Sequence, residues 1–275
     1  MEIAHDIARA RALFGTSGRP LAFVPTMGSL HDGHLELVRR ARKRAATVAV
    51  SIFVNPLQFG PNEDFAAYPR DEEGDRAKLE AAGADILFLP EVGELYPADF
   101  STFVEVGSLG SGFEGAYRPH HFRGVTTIVA KLLNIVAPDV LVLGEKDAQQ
   151  AAILKKMIAD LNVAVDVELV ATVRERDGLA LSSRNRYLDE TQRARAPSLY
   201  RALTAAREAL KEKRSKEQAI ARGRAALAAG ATLDYLDLVD PETFATLERP
   251  DGSALLVAAA RFGTTRLIDN LTVNA

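Results

Sequence analysis

A chain of 275 residues, 47% hydrophobic and 26% charged, has the make-up of an ordinary globular protein and length for about two domains at roughly 150 residues each. Its net charge of −3 supplies no global basic field for nucleic acid or an anionic membrane. Cysteine is absent, which removes disulfides, thiolate nucleophiles, iron–sulfur clusters and cysteine-ligated zinc, and is compatible with a reducing cytoplasm.

The amino-terminal MEIAHDIARARALF lacks the uninterrupted apolar core of a signal peptide, and no stretch approaches the roughly 20 apolar residues of a membrane span. A soluble, cytoplasmic protein is expected. The first patterned element is the short apolar run Leu21–Val24, closed by Pro25. Leu35, Leu37, Val38, Ala41, Ala45 and Ala46 then give a helical apolar face beside a solvated basic one. Thr47–Val54 is a near-continuous β-branched run, of the kind buried on both faces of a parallel sheet. A helix over Asp71–Ala82 stopped by Gly83, a strand at Ile86–Leu89, a helix over Thr126–Val136 and a strand at Val140–Leu143 follow. Asp147–Leu161 reads as a longer helix capped by Asp147, and Val165–Val170 as another strand. This alternation predicts an α/β fold: parallel βαβ units in a doubly wound, Rossmann-like sheet over residues 1–174. From about residue 175 to 275 the pattern changes to helices rich in Ala, Arg, Lys and Glu, then β runs at Leu233–Val239, Ala254–Ala260 and Arg266–Ile268. That predicts a smaller α+β domain.

Gly110-Ser111-Gly112-Phe113-Glu114-Gly115 fits the dinucleotide fingerprint letter for letter. The mechanism of that motif needs a helix opening on a pyrophosphate, and Pro119 with the histidines after it is expected to break any helix there. No phosphate-binding loop of the G-x-x-x-x-G-K-[ST] type occurs.

Pro25-Thr26-Met27-Gly28-Ser29-Leu30-His31-Asp32-Gly33-His34 directly follows a strand and leads into a helix, so it belongs at the carboxyl edge of the sheet, where ligands sit. Its glycines allow a ligand near the backbone, and the helix N-terminus offers free N–H groups to phosphate. His31 and His34, three apart, share a helical face and can donate to phosphoryl oxygens. The bland alternative is a turn with a capping Asp and two satisfied histidines. Zinc on His31, Asp32, His34, His120 and His121 is disfavoured, since no H-E-x-x-H or cysteine partner is present. Gly144-Glu145-Lys146-Asp147 also follows a buried strand, which suits Lys146 to phosphate. Leu181-Ser182-Ser183-Arg184-Asn185 offers two hydroxyls and a guanidinium as a polyphosphate clamp. Together these motifs predict a nucleotide site closed by a loop of the second domain.

In order along the chain, PTMGSLHDGH, SIFVNPLQF (51–59), YPRD (68–71), HFRGVTTIVAKLLNIV (121–136), GEKDAQQ (144–150) and VRERDGLALSSRNRYL (173–188) resemble the pantoate–β-alanine ligase family of the nucleotidylyltransferase superfamily. The resemblance implies joining of pantoate to β-alanine with cleavage of ATP to AMP and pyrophosphate, aided by Mg²⁺, in a homodimer formed through the first domain. It implies Met27, Gly28, Ser29, Leu30, His31, Asp32, Gly33 and His34 as one wall of the ATP site, with His34 as the catalytic histidine. Gly144, Glu145, Lys146, Asp147, Val173, Leu181, Ser182, Ser183 and Arg184 would bind the rest of ATP, with Lys146 and Arg184 on phosphates. Gln58 and Gln150 would hold pantoate, and Gln58 would also border β-alanine. Arg118 and His121 align near the β-alanine pocket, and Asp75 is the candidate magnesium ligand. Leu181 stands where many members carry Met, a volume-conserving change. Two competing expectations are a related nucleotidylyltransferase acting on a phosphate-bearing acceptor and a non-catalytic nucleotide-binding protein. The first calls for basic residues where Gln58 and Gln150 stand. The second leaves the complete set of chemical side chains without a purpose.

Overall fold

Strands whose alternate residues are apolar on both sides build a six-stranded, all-parallel sheet in the order β1-β4-β3-β2-β5-β6. The strands are β1 (Glu2–Ala4), β2 (Leu21–Thr26), β3 (Thr47–Ile52), β4 (Ile86–Phe88), β5 (Val140–Gly144) and β6 (Asp166–Val170). They belong to a computed structural model that describes residues 1–61, 63, 65–250 and 252–274. The chain divides into two compact units, Met1–Glu145 with Ile153–Ala171, and Lys146–Ala152 with Thr172–Ala275.

In the first unit, Leu21 and Phe23 of β2 and Leu141 and Leu143 of β5 face one layer with α1 (Ile7–Thr16), α6 (His121–Val136) and the later turns of α7 (Ala148–Asp160). Ala22, Val24, Val140 and Val142 face the other, against α2 (Asp32–Arg44) and α3 (Glu72–Ala82). Strand order reverses between β2 and β5, which pair in parallel as Ala22 with Val140 and Phe23 with Leu141. In an open α/β sheet that reversal is where ligand-binding loops leave the carboxyl edge. Two four-residue helices, α4 (Val92–Leu95) and α5 (Glu114–Tyr117), interrupt the long connection from β4 to α6.

In the second unit, α8 (Glu190–Arg195) precedes α9 (Ser198–Lys211) and α10 (Lys216–Ala225), which cover an antiparallel sheet ordered β7-β8-β9. These strands are β7 (Ala231–Val239), β8 (Ser253–Phe262) and β9 (Thr265–Asn274). Ala254, Leu256, Ala258 and Ala260 of β8 turn inward, and their small side chains admit Leu199, Leu203 and Leu210 of α9.

The expected fold class holds, and several boundaries move. β1 and α1 carry too few patterned residues to stand out in the sequence. α6 starts at His121 rather than Thr126, with His120 at φ +69° as its N-cap, while the short helix before Pro119 and the histidines ends at Tyr117, as expected. Asp147 closes a 3-10 turn, Glu145–Asp147, and α7 begins after it at Ala148. The glycine-rich Gly110–Gly115 follows no strand and runs into a helix of only four residues, so the dinucleotide context is missing. Its glycines serve the loop itself, because a Cβ on Gly115 would stand 1.8 Å from the Gly110 carbonyl oxygen.

Candidate functional site

The loop from β2 to α2 is held on every side by short-range hydrogen bonds. Thr26 Oγ1 donates to the Ser51 carbonyl at 2.8 Å and accepts the Gly28 N–H at 3.2 Å. Gly28 at φ +79° and the buried Ser29 at φ +51° then turn the chain sharply, and the second of these is a conformation that non-glycine residues seldom adopt. The Leu30 N–H donates to Asp75 Oδ1 at 2.8 Å, and Lys78 Nζ bridges the Leu30 carbonyl at 3.1 Å and the same Asp75 oxygen at 3.3 Å.

His31 is the extended N-cap of α2, and Asp32 is its exposed first helical residue. The bland expectation of a capping Asp therefore fails. The His31 carbonyl accepts the N–H groups of His34 at 2.8 Å and Leu35 at 3.2 Å. In return the His31 N–H donates to His34 Nδ1 at 3.4 Å, the position a Glu takes in a capping box. Acting as acceptor at Nδ1, a neutral His34 ring carries its proton on Nε2, so Nε2–H is its donor. The two imidazoles lie 4.1 Å apart between centroids and 30° apart in tilt, which bears out their shared face.

Gln58 ends a 3-10 turn, Pro56–Gln58, just beyond β3, and is buried. Asn55 holds it: Nδ2 donates to Gln58 Oε1 at 3.1 Å and to the Gly124 carbonyl at 3.0 Å, while Tyr96 Oη donates to Asn55 Oδ1 at 2.9 Å. Gln58 Nε2 lies against Met27 Sδ. Arg118 Nη2 reaches the Gln58 carbonyl at 3.3 Å. Its Nη1 donates to His121 Nε2 at 3.1 Å, which leaves Nδ1–H of His121 to donate to the same carbonyl at 2.9 Å. Arg118 also takes the Glu63 carboxylate with two hydrogen bonds, 2.8 and 2.6 Å long. Burial pushes the Glu63 carboxyl up, but the hydrogen bonds and charge of Arg118 hold it below the ordinary Glu value. Met27, Gln58, Arg118 and His121 are thus brought together in the first unit.

In the second unit, Lys146 Nζ pairs with Asp147 Oδ1 at 3.2 Å, and Gln150 is the third residue of α7. The Lys146 carbonyl accepts from Asn270 Nδ2 of β9 at 2.9 Å. Arg174 clamps the buried Asp269 with bonds of 2.6 and 2.9 Å; burial raises that carboxyl against the pull of the guanidinium. Val173 and Leu181 meet through a 3.0 Å backbone bond across a turn. Ser182 Oγ accepts the Arg184 N–H at 3.3 Å and so starts the 3-10 turn Ser183–Tyr187 that carries Arg184.

Asp75 does not fit a magnesium ligand. Its side chain is 1% exposed, and Oδ1 already takes a backbone N–H and an ammonium. A hard cation asks for several oxygen ligands and usually keeps waters. Among the described residues no group of three or more His, Cys, Asp or Glu could hold a metal ion. Nor is any described helix long and apolar enough to cross a membrane.

Sequence reasoning missed Asn55, Glu63, Lys78, Tyr96, Arg174, Asp269 and Asn270. The last pair did leave a trace, two adjacent polar residues inside an apolar β run; the others act through contacts distant in sequence or on a helix face that looked merely amphipathic.

A family model described as pantoate-beta-alanine ligase matches residues 2–272. The chain is 53% identical over 270 residues to a pantothenate synthetase of Acidiphilium cryptum, covering 98% of this chain and 97% of that one. It is 52% identical over 278 residues to a pantothenate synthetase of Chloroflexus aggregans, covering 98% and 99%. The structure superposes on a crystal structure of pantothenate synthetase from Thermus thermophilus with a TM-score of 0.97, at 49% identity and full coverage of both chains. It superposes with a TM-score of 0.80, at 33% identity, on a Francisella tularensis pantoate-beta-alanine ligase complexed with beta-gamma ATP and beta-alanine, covering 98% and 97%.

Proposed function

The chain belongs to the pantoate–β-alanine ligase family, whose members join these two substrates at the cost of ATP, and we propose that here the condensation runs through a pantoyl adenylate. A carboxylate is a poor acyl donor, because oxide is a poor leaving group. Attack of a pantoate carboxylate oxygen on the α-phosphorus of ATP forms an O–P bond, breaks the bond to the bridging oxygen and releases pyrophosphate. The amine of β-alanine then attacks the acyl carbon; the C–N bond forms, AMP departs with its oxygen, and the nitrogen gives up a proton. No protein nucleophile is needed, in keeping with a chain without cysteine.

What the protein must supply is in-line positioning and positive charge along the triphosphate. The roles fall to His34 and His31 as donors to phosphoryl oxygens, and to Lys146 and Arg184 as cations on the phosphates. Met27 to His34, Gly144 to Asp147, Val173 and Leu181 to Arg184 form the ATP site. The His34 tautomer carries this reading: a ring whose Nδ1 accepts from the cap carries its donor proton on Nε2. Gln58 and Gln150 bind pantoate as uncharged amides, which adds no negative charge beside its carboxylate. Gln58, Arg118 and His121 border β-alanine. Mg²⁺ would accompany the triphosphate and offset part of its charge. The family relationship supports a cytoplasmic homodimer joined through the first domain.

Exchange of labelled pyrophosphate into ATP tests the two-step path. It is expected to require pantoate and Mg²⁺ but not β-alanine. Exchange that starts only when β-alanine is added would show a concerted reaction and overturn the adenylate.

A further inference from the structure

We propose that Asp75, together with Lys78, is a positioning residue that locks the loop 28–30 and thereby sets the ring orientation and tautomer of His34, rather than a ligand of magnesium. The inference rests on the role proposed for His34.

The argument starts in the sequence of α3. Asp75, Leu79 and Ala82 fall on one helical face, and the helix packs against α2 and the sheet. A carboxylate on that face is costly to bury unless it is paired. Here Oδ1 is answered twice, by the Leu30 N–H at 2.8 Å and by the Lys78 ammonium at 3.3 Å. Lys78, one helical turn on, answers in addition the Leu30 carbonyl at 3.1 Å. Both backbone polar groups of Leu30 are therefore consumed by a single ion pair anchored in another element.

Leu30 is where such an anchor has leverage. The two residues before it, Gly28 and Ser29, both have positive φ, and Ser29 is strained there. A strained turn persists only where its surroundings over-determine it, and the residue after it is His31, the cap of α2. A shift of Leu30 displaces the His31 N–H, and with it the partner that selects the His34 tautomer. The wall is close-packed as well: a Cβ at position 28 would stand 3.0 Å from Ile52 Cγ2 and 3.1 Å from Asp75 Oδ2.

The test compares Asp75→Asn, Asp75→Ala and Lys78→Met by pantoate-dependent pyrophosphate exchange over a range of Mg²⁺, and by proton–nitrogen spectra of the histidine rings without substrates. Asn keeps an acceptor for the Leu30 N–H, so its exchange rate is expected to fall about three- to tenfold, while Ala is expected to fall on the order of a hundredfold. The wild-type half-saturating Mg²⁺ is expected in all three, and His34 is expected to lose its single Nε2–H form in Asp75→Ala. If Asp75→Ala fails to fold, judged by its thermal transition, Asp75→Asn and Lys78→Met carry the same comparison, with Lys78→Met losing the single His34 form. A tenfold or greater rise in half-saturating Mg²⁺ for Asp75→Asn, with activity restored by excess ion, would make Asp75 a metal ligand and overturn the proposal. An unchanged His34 spectrum in Asp75→Ala, or in Lys78→Met where Ala does not fold, would overturn it too. Absence of exchange in the wild type would instead strike at the adenylate path and leave the spectral comparison standing.

Discussion

The side-chain amide of Asn270 donates to the main-chain carbonyl of Lys146 at 2.9 Å, linking the last strand to the lysine assigned to the triphosphate across 124 positions of sequence. The link is stiffened behind Asn270. Arg174 grips Asp269 through two bonds, reaches the Asn270 carbonyl at 3.1 Å, and lies 4.1 Å from the Tyr200 ring centroid. A phosphate-binding lysine is a flexible point charge, so the rigidity of its backbone decides how well the ammonium is placed.

Asn270→Ala is accordingly expected to lower the exchange rate about tenfold, the equivalent of one buried hydrogen bond lost at a site that needs precise placement. In a Lys146→Ala background the same substitution should cost little more, because the placed group is already gone. Rates measured for both single variants and the double variant check this. Losses that multiply independently would show that Asn270 supports the fold and not the lysine.

The two half-reactions separate charge stabilisation from folding. His34→Ala and Lys146→Ala are each expected to slow adenylation on the order of 10²–10³-fold, as removal of a transition-state donor does. The second step, started from pre-formed pantoyl adenylate, should suffer far less. Single-turnover measurement of each step decides the matter, and equal losses in both would point to a shared structural role.

Glu63 and Arg118 make a pH-dependent contribution whose sign follows from the depressed carboxyl. A carboxyl lower in the folded than in the unfolded protein adds stability that is fully present above the unfolded value, about 4.3 for Glu, and is lost as pH falls through the folded value. Glu63→Gln removes that contribution. The stability difference between wild type and Glu63→Gln is therefore expected to be constant near neutrality and to shrink as pH falls below about 4.3. Chemical denaturation at a series of pH values checks it. A difference that grows on acidification would mean that the ion pair raises the carboxyl.

The part of this protein that was legible in sequence is the part where local pattern and chemistry coincide. β2, the loop 27–31 and α2 form a strand, a turn and a helix that advertise themselves by an apolar run, two glycines and an amphipathic face, so His31 and His34 could be placed from spacing alone. Gln58 could be named only through resemblance, because its holder Asn55, itself fixed by Tyr96, meets it through contacts that no periodicity encodes. Asp75 was visible as a carboxylate in a helix, but whether it faced a metal or a backbone N–H depended on Leu30, 45 positions away. Burial, not spacing, separated the two. The start of α6 went wrong for a local reason: His120 takes a left-handed conformation, which propensity alone does not assign to histidine there.

Pantoate and ATP recognition can be told apart through the two glutamines. Gln58 is buried beyond β3 with its Oε1 already accepting from Asn55, so its amide orientation is fixed before any substrate arrives. A fixed amide loses little entropy on binding and offers one defined donor group. Gln150, half-buried in the first turn of α7, is less constrained by the bonds around it. If both amides hold pantoate, Gln150→Ala removes hydrogen bonds to a largely desolvated ligand, at about 1–3 kcal/mol. The KM for pantoate should then rise roughly 5- to 150-fold while the KM for ATP stays within about twofold. Gln58→Ala should do the same, raise the KM for β-alanine as well, and lose some thermal stability, because Asn55 Nδ2 is left with only the Gly124 carbonyl. Steady-state kinetics with each substrate varied in turn, together with thermal unfolding, measure all of these. Normal pantoate saturation with impaired ATP binding in Gln150→Ala would assign that pocket to the nucleotide instead.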